Sequence, residues 1–127
     1  MGKSSESIGA KKLQMADLIF HEVEDAIIIT TSEGIVVDVN PAFSKIMGYS
    51  REEVLGKLPY FLKSGSQDII YYNEVLTTLS ISGCWSGAIK INTKSGAEVD
   101  SRLTIVTVKN HDEETTNYIG FLRITGL

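Results

Sequence analysis

The sequence predicts an α+β domain, because a strand hairpin, a group of helices and three further strands follow one another along the chain. Residues Ala26–Thr31 and Ile35–Val39 are rich in β-branched residues and flank the turn Ser32-Glu33-Gly34, which is typical of a hairpin. Apolar and polar residues alternate along three later segments, as they do in strands with one buried face. These segments are Trp85–Asn92, Glu98–Val108 and Thr116–Thr125.

The stretch Asp38–Lys57, between the hairpin and the later strands, predicts two consecutive short helices. Asn40 is a good N-cap, because its side chain can accept from free amides of the first helical turn. Pro41 fits the first helical position, where a missing N–H costs nothing. Gly48 favours a left-handed end to this helix. Its apolar side consists of Phe43, Ile46 and Met47.

A capping box predicts the start of the second short helix, where Ser50 is followed three residues later by Glu53. A longer helix is then predicted at Asp68–Leu79, and Ser82-Gly83 ends it. We expect its buried side to hold Ile69, Ile70, Tyr72, Val75, Leu76 and Leu79.

The segment Lys11–Glu22 predicts an amphipathic helix near the N-terminus. Residues 1–10 before it are small and polar, and we expect them to be flexible. The apolar positions of the helix are Leu13, Met15, Ala16, Leu18, Ile19 and Phe20, which form a broader stripe than a solvated helix needs.

Composition narrows the class of protein. The 127 residues suit one domain, and the formal charge of −4 favours neither nucleic acid nor an anionic membrane as a partner. No apolar run approaches the length of a membrane span. The single cysteine, Cys84, excludes an internal disulfide and suits a reducing compartment, so we expect a cytoplasmic protein.

Catalytic and metal-binding motifs are absent from the sequence, so we expect a domain that is not an enzyme. His21 and His111 lie far apart in sequence, and a solvated histidine is expected at each position. Cys84 has no Lys, Arg or His beside it and is expected to be a small, semi-buried residue rather than a reactive thiol.

Five motifs, in this order and spacing, resemble the PAS sensory family from about Asp25 to Thr125. They are N-P-A-F followed by G-Y-S-x-E-E at 40–53, F-L-K-S-G at 61–65, G-C-W-S-G at 83–87, K-S-G at 94–96 and Y-I-G at 118–120. The resemblance implies a five-stranded antiparallel sheet, with short helices on one face and an N-terminal cap helix on the other. It divides the chain into a flexible segment 1–10, a cap helix 11–24 and the PAS domain 25–127.

The same resemblance implies a concave face, towards the short helices, where PAS domains hold small ligands. The candidate lining residues are Phe43, Met47, Phe61, Trp85, Ile89, Ile91, Leu103 and Leu122. Because this lining is apolar, it suits an apolar or aromatic ligand. The alternative is that these side chains simply fill the core.

The family's cofactor-binding residues can be compared with this sequence position by position. The comparison leaves the cofactor of this chain unknown. The photoactive cysteine of light-oxygen-voltage (LOV) domains falls on Pro59, so we expect no flavin–cysteinyl adduct. The polar flavin contacts fall on Leu58, Ile91 and Leu122. No haem-ligating histidine occurs in Asp68–Leu79. An FAD-binding redox sensor, which needs no cysteine and shares the W-S-G motif, stays as an alternative.

The resemblance therefore implies a sensory module of a bacterial signalling protein, such as a two-component system. It would bind a small ligand, form a homodimer, or both, and regulate a linked histidine kinase or cyclic-dinucleotide enzyme. A ligand-free interaction domain is a further alternative. The dimer is expected to use Lys11–Glu22 and an apolar outer sheet face formed by Val106, Val108, Ile119 and Phe121. Arg123 replaces the acidic residue of the family's D-I-T ending, which puts the family's salt bridge there in doubt.

Overall fold

The helices and strands follow the predicted order along the chain. The structure, a computed structural model, describes the backbone of residues 3–59 and 69–126 and the side chains of residues 8–59 and 73–126. Within these ranges the elements are α1 Lys3–Glu22, β1 Ala26–Thr31, β2 Val36–Val39, α2 Pro41–Met47, α3 Arg51–Val54, α4 Ile69–Ser82, β3 Cys84–Asn92, β4 Glu98–Lys109 and β5 Thr115–Ile124.

The strands form one five-stranded sheet in the order β2-β1-β5-β4-β3, and all neighbours are antiparallel. The predicted α+β fold with an antiparallel sheet is thereby confirmed. The segment after α3 pairs with the edge strand β2, since the amide of Val36 donates to the carbonyl of Lys57 at 2.9 Å. The amide of Gly56 donates back to the carbonyl of Val36 at 2.8 Å.

The register of the strands separates the two faces of the sheet as the alternation predicted. Ala26 pairs with Leu122, Leu122 with Leu103, and Leu103 with Gly87, so these four residues share the inner face. The inner face and the short helices enclose the core. Its buried members are Ala26, Ile28, Val36, Val39, Phe43, Met47, Val54, Ile89, Ile91, Leu103 and Leu122.

Asn40 joins three parts of the chain at the start of α2. Its side chain is 1% exposed, and its Oδ1 accepts from the amides of Ile27 at 2.8 Å and Phe43 at 3.1 Å. Its Nδ2 donates to the carbonyl of Asp25 at 3.0 Å. Pro41 occupies the first helical position, and Gly48 ends the helix with a φ of 81°. The predicted N-cap is therefore confirmed, and it also anchors the start of β1.

The predicted capping box at α3 is confirmed and is tied to the β3–β4 hairpin. Ser50 and Glu53 exchange both capping hydrogen bonds. Lys94, in the hairpin turn, donates to Oε2 of Glu53 at 2.7 Å, and its amide donates to the carbonyl of Met47 at 2.8 Å. The Lys94 ammonium and the Ser50 amide together lower the pKa of Glu53 to about 2.

The first helix differs from the predicted cap helix in length and position. It is helical from Lys3 to Glu22, whereas the predicted helix began at Lys11. Its main tertiary contact is with α2, and its apolar residues from Ile8 to Ile19 are exposed. In this single chain α1 therefore does not cover the sheet, because, among the side chains of α1 that the structure describes, those of the last turn are the ones that pack against the domain.

Smaller differences concern single residues and the ends of elements. Leu76 was expected on the buried side of α4 but is 44% exposed, whereas Val75 and Leu79 are buried as predicted. Cys84 is exposed rather than semi-buried, because as the first residue of the edge strand β3 it points to the outer face. The side chains of Ile69, Ile70 and Tyr72 lie outside the described residues.

Asn40→Ala should lower the free energy of unfolding by about 2–4 kcal/mol, because it removes an N-cap and leaves the buried amide of Ile27 without its acceptor. Urea denaturation measures the loss. Ser50→Ala is the control, since it removes an N-cap that is half-buried and should cost only about 1 kcal/mol. Equal losses in the two variants would contradict the anchoring role of Asn40.

Lys94→Met should raise the pKa of Glu53 from about 2 towards its ordinary value, because the largest cause of the shift is the hydrogen bond from Lys94. A lowered pKa in the folded state stabilises the protein above the unfolded pKa, and this contribution is lost as the pH falls towards about 2. Carboxyl-carbon NMR titration measures the pKa. Lys90→Met, near Glu98 and Asp100, should leave Glu53 unchanged.

Candidate functional site

The concave face brings together the described members of the predicted ligand site. Six of them are almost completely buried, and Trp85 packs against their cluster at its margin. Phe61 lies outside the described residues, as does the rest of its motif. The exposed fractions are 0% for Phe43, Met47, Ile91 and Leu122, 5% for Leu103 and 6% for Ile89.

Helix α2 and the inner sheet face position these side chains. Phe43 and Met47 lie four residues apart and so project from the same side of α2. Leu103 and Leu122 are direct partners on β4 and β5, and Ile91 follows Ile89 by two residues on β3. Within the described residues they form one close-packed cluster, as in the core of a folded domain.

Trp85 forms the border between this cluster and an open cleft. The cleft has a volume of about 440 Å³ and lies beside α4, where Trp85 meets Asn73, Glu74, Thr77 and Thr78. The indole ring lies over Gly87, since a Cβ built on Gly87 would lie 2.6 Å from the ring. Trp85 is therefore half-buried rather than fully buried as predicted, because one side of its ring faces the cleft.

A row of polar side chains crosses the inner face near the start of β3. Thr30, Tyr118 and Thr107 are direct partners on β1, β5 and β4. The Oγ1 of Thr107 is buried and has no hydrogen-bond partner among the described residues. Sequence reasoning did not single out Thr107, although the alternation of β4 placed it on the inner face. A hydroxyl in this position can make one hydrogen bond to a polar atom of a ligand or to water.

A second depression, of about 310 Å³, separates the end of α1 from α2 and the end of β2. Phe20 and His21 form its α1 side. On the domain side, Nε of Arg51 donates to Oδ1 of Asp38 at 2.7 Å, and this hydrogen bond raises the pKa of Arg51. The depression marks the place where α1 meets the domain.

Arg123, which stands where the family's D-I-T ending has an acidic residue, forms an ion pair with Asp25. Its Nε and Nη2 donate to the two carboxylate oxygens of Asp25 at 3.2 and 3.1 Å. This hydrogen bonding is the largest cause of the raised pKa of Arg123. The pair joins the segment before β1 to the end of β5. The expected acidic residue is thus replaced by a basic one that finds its carboxylate on another segment.

The described residues contain no group of three or more His, Cys, Asp or Glu side chains placed to hold a metal ion. His21 is exposed and its ring nitrogen lies 2.8 Å from the carbonyl of Asp17, and His111 is also exposed. Among the described helices, none has the length and apolar character needed to cross a membrane. The side chains of Ile91 and Leu122, at two positions of polar flavin contacts, are buried and carry no polar atom, so they do not fit that cofactor's hydrogen-bonding pattern.

A family model described as a PAS domain matches residues 24–123, and the chain therefore belongs to the PAS domain family. The resemblance in the sequence motifs is confirmed by this match. As a member of that family, the chain is a sensory domain of the kind found in signalling proteins.

Two curated relatives are similar to this chain over most of its length. The chain is 26% identical over 120 residues to the high affinity cAMP-specific and IBMX-insensitive 3′,5′-cyclic phosphodiesterase 8A of Mus musculus. It is 29% identical over 118 residues to the nitrogen fixation regulatory protein of Klebsiella oxytoca. The matches cover 89% and 91% of this chain but only 14% and 24% of the relatives. The similarity is therefore confined to a small part of each longer protein.

Among solved structures, the PAS domain of a protein from Colwellia psychrerythraea superposes with a TM-score of 0.84 at 24% sequence identity. The match covers 90% of this chain and 97% of that one. At this identity the likeness shows the fold, and it confirms the PAS fold predicted from the sequence.

Gly87→Ala should destabilise the protein by about 1–3 kcal/mol, because the added methyl group would meet the Trp85 ring at 2.6 Å. The same change in a Trp85→Ala background should cost much less, since the clash is gone. Chemical denaturation of both single variants and the double variant measures this coupling. Additive losses would contradict the packing of Trp85 over Gly87. Gly9→Ala, where nothing lies within 4 Å of the added Cβ, is the control.

Proposed function

We propose that this chain is a sensory module that forms a homodimer through α1 and the outer sheet face and thereby regulates a linked effector. One observation carries the proposal, which is the exposure of large apolar side chains along α1. Their exposed fractions are 75% for Leu13, 62% for Ile8, 60% for Leu18, 58% for Ile19 and 50% for Met15.

Most of these side chains lie on one side of the helix. At 3.6 residues per turn, Ile8, Met15, Leu18 and Ile19 project within an arc of about 100°. Phe20, on another side of the helix, is half-buried at the depression beside α2. An apolar stripe of this kind on an exposed helix commonly marks an interaction site.

The outer face of the sheet offers a matching apolar surface. Ile119 and Val106 are direct partners on β5 and β4, and Phe121 follows Ile119 on the same face. All three are only half-buried in this single chain. A second copy presents the same helix and the same face, so a two-fold arrangement would cover both surfaces.

Ligand binding on the concave face is the second part of the proposal. The half-buried Trp85 beside the cleft and the buried hydroxyl of Thr107 support a small, largely apolar ligand with one hydrogen bond. The close packing of Phe43, Met47 and Leu122 instead supports the ligand-free interaction domain. An FAD-binding redox sensor has the least support, because Ile91 and Leu122 offer no polar side-chain atom.

A linked effector is proposed because the relatives are much longer than this chain, which spans 14% and 24% of them. Their names describe a phosphodiesterase and a regulatory protein. For this chain we propose a histidine kinase or a cyclic-dinucleotide enzyme in a cytoplasmic bacterial signalling protein. The Asp25–Arg123 pair supports transmission, because it joins the segment after α1 to the end of the last strand.

Native mass spectrometry and light scattering of the purified chain should show a dimer at micromolar concentrations. Ile19→Asp should weaken the dimer by at least about tenfold, because it places a charge in the apolar stripe. Ala10→Asp is the matched control, since it adds the same charge to an exposed position about 130° around α1 from the middle of the stripe and should leave the dimer intact. A monomeric wild-type chain would overturn the dimer proposal. Extra mass per subunit would support the ligand.

A further inference from the structure

The outer sheet face and α1 each carry apolar groups between charged groups of opposite sign. On the sheet, Arg102 and Arg123 are direct partners in one row of side chains. Apolar rows follow, and the strands then end at the acidic turn that joins β4 to β5. The apolar side chains are Phe121, then Ile119 with Val106, then Val108, and the turn contains Asp112, Glu113 and Glu114.

Arg102 is the cation of this face that has no ion-pair partner among the described residues. Arg123 is paired with Asp25 at 3.1 Å. Lys90 lies 3.7 and 3.8 Å from carboxylate oxygens of Glu98 and Asp100. Arg102 is exposed and stands directly opposite Arg123, and like charges in opposed positions of a sheet are unfavourable. A carboxylate from another molecule would relieve this repulsion.

The stripe on α1 has the complementary order of charges. Glu22 lies at its C-terminal end, Leu18, Ile19 and Met15 form its middle, and Lys11 and Lys12 follow one turn towards the N-terminus. Glu22, Lys11 and Lys12 are exposed, and no ion pair joins any of them to another described residue. From Glu22 to Lys11 the helix therefore reads acidic, apolar and basic, with Ile8 of the stripe beyond the lysines, where the sheet reads basic, apolar and acidic.

The distance between the acidic and basic groups on α1 agrees with the distance between the charged groups on the sheet to within the length of a side chain. From Glu22 to Lys11 and Lys12 the helix rises about 16 Å, at about 1.5 Å per residue. From Arg102 to Val108 the strand extends about 20 Å, at about 3.3 Å per residue, and the acidic turn begins just beyond. The long side chains of lysine reach across the remaining few ångströms. Met15, about 10 Å from Glu22, then falls near the row of Ile119 and Val106.

The chain's own helix is not the occupant in this structure, because the last turn of α1 packs against α2 on the other side of the sheet. Building on the proposed homodimer, we propose that α1 of each protomer lies along the partner's outer sheet face in one orientation. In that orientation Glu22 pairs with the partner's Arg102, and Lys11 and Lys12 lie at the partner's acidic turn. Charge complementarity would thus set the direction of the helix, while the apolar stripe supplies the contact area.

A charge-swap experiment on the full chain tests this orientation, with the dimer dissociation constant measured by sedimentation at low salt. Arg102→Glu and Glu22→Arg should each weaken the dimer by about tenfold, because each leaves like charges facing one another at two symmetric contacts. The double variant should recover most of the affinity. Lys57→Glu, an exposed reversal after α3, is the matched control and should leave the dissociation constant unchanged.

The outcomes separate this inference from the dimer itself. If Ile19→Asp disrupts the dimer but Arg102→Glu does not, the dimer stands and the proposed orientation is wrong. If both single variants weaken the dimer and the double variant weakens it further, the pairing of Glu22 with the partner's Arg102 is also wrong. A wild-type chain that stays monomeric at low salt overturns both proposals.

Discussion

The hydrogen bonds of one buried amide, that of Asn40, hold the two halves of the domain together. Its oxygen accepts from the first strand and from the first turn of α2, and its nitrogen donates to the segment that follows α1. Because the group is 1% exposed, water cannot replace these bonds. Helix α2 carries Phe43 and Met47 onto the inner sheet face, so the arrangement of the candidate site depends on this anchor.

The two faces of the sheet carry side chains of different character. The inner face is closed by α2 and α3 over a core of fully buried side chains, and a buried hydroxyl at Thr107 interrupts its apolar character. The outer face keeps half-buried apolar residues beside an arginine with no ion pair among the described residues. Interior packing stabilises the domain, whereas a surface of mixed apolar and charged groups suits a specific partner. The ion pair of Asp25 and Arg123 joins the segment before β1 to the end of β5.

Much of the fold was predictable because it depends on short-range chemistry. Asn40-Pro41, Gly48 and the Ser50–Glu53 box are local signals, and each one ends or begins a helix where predicted. The alternation along β3, β4 and β5 likewise assigned Trp85, Leu103 and Leu122 to one face, as the register shows. The boundaries of the strands moved by only one residue, since alternation is weakest where a strand meets its turn.

The sequence by itself therefore determined the elements, their faces and the family, because capping and two-residue periodicity act between near neighbours. Only the tertiary structure decided which way α1 leaves the domain, how far Trp85 is exposed and which carboxylate Arg123 finds. Asp25 and Arg123 lie 98 positions apart, and Trp85 is exposed where α4 leaves a cleft beside β3. Such features depend on the packing of distant segments, and local propensity carries no information about where those segments meet.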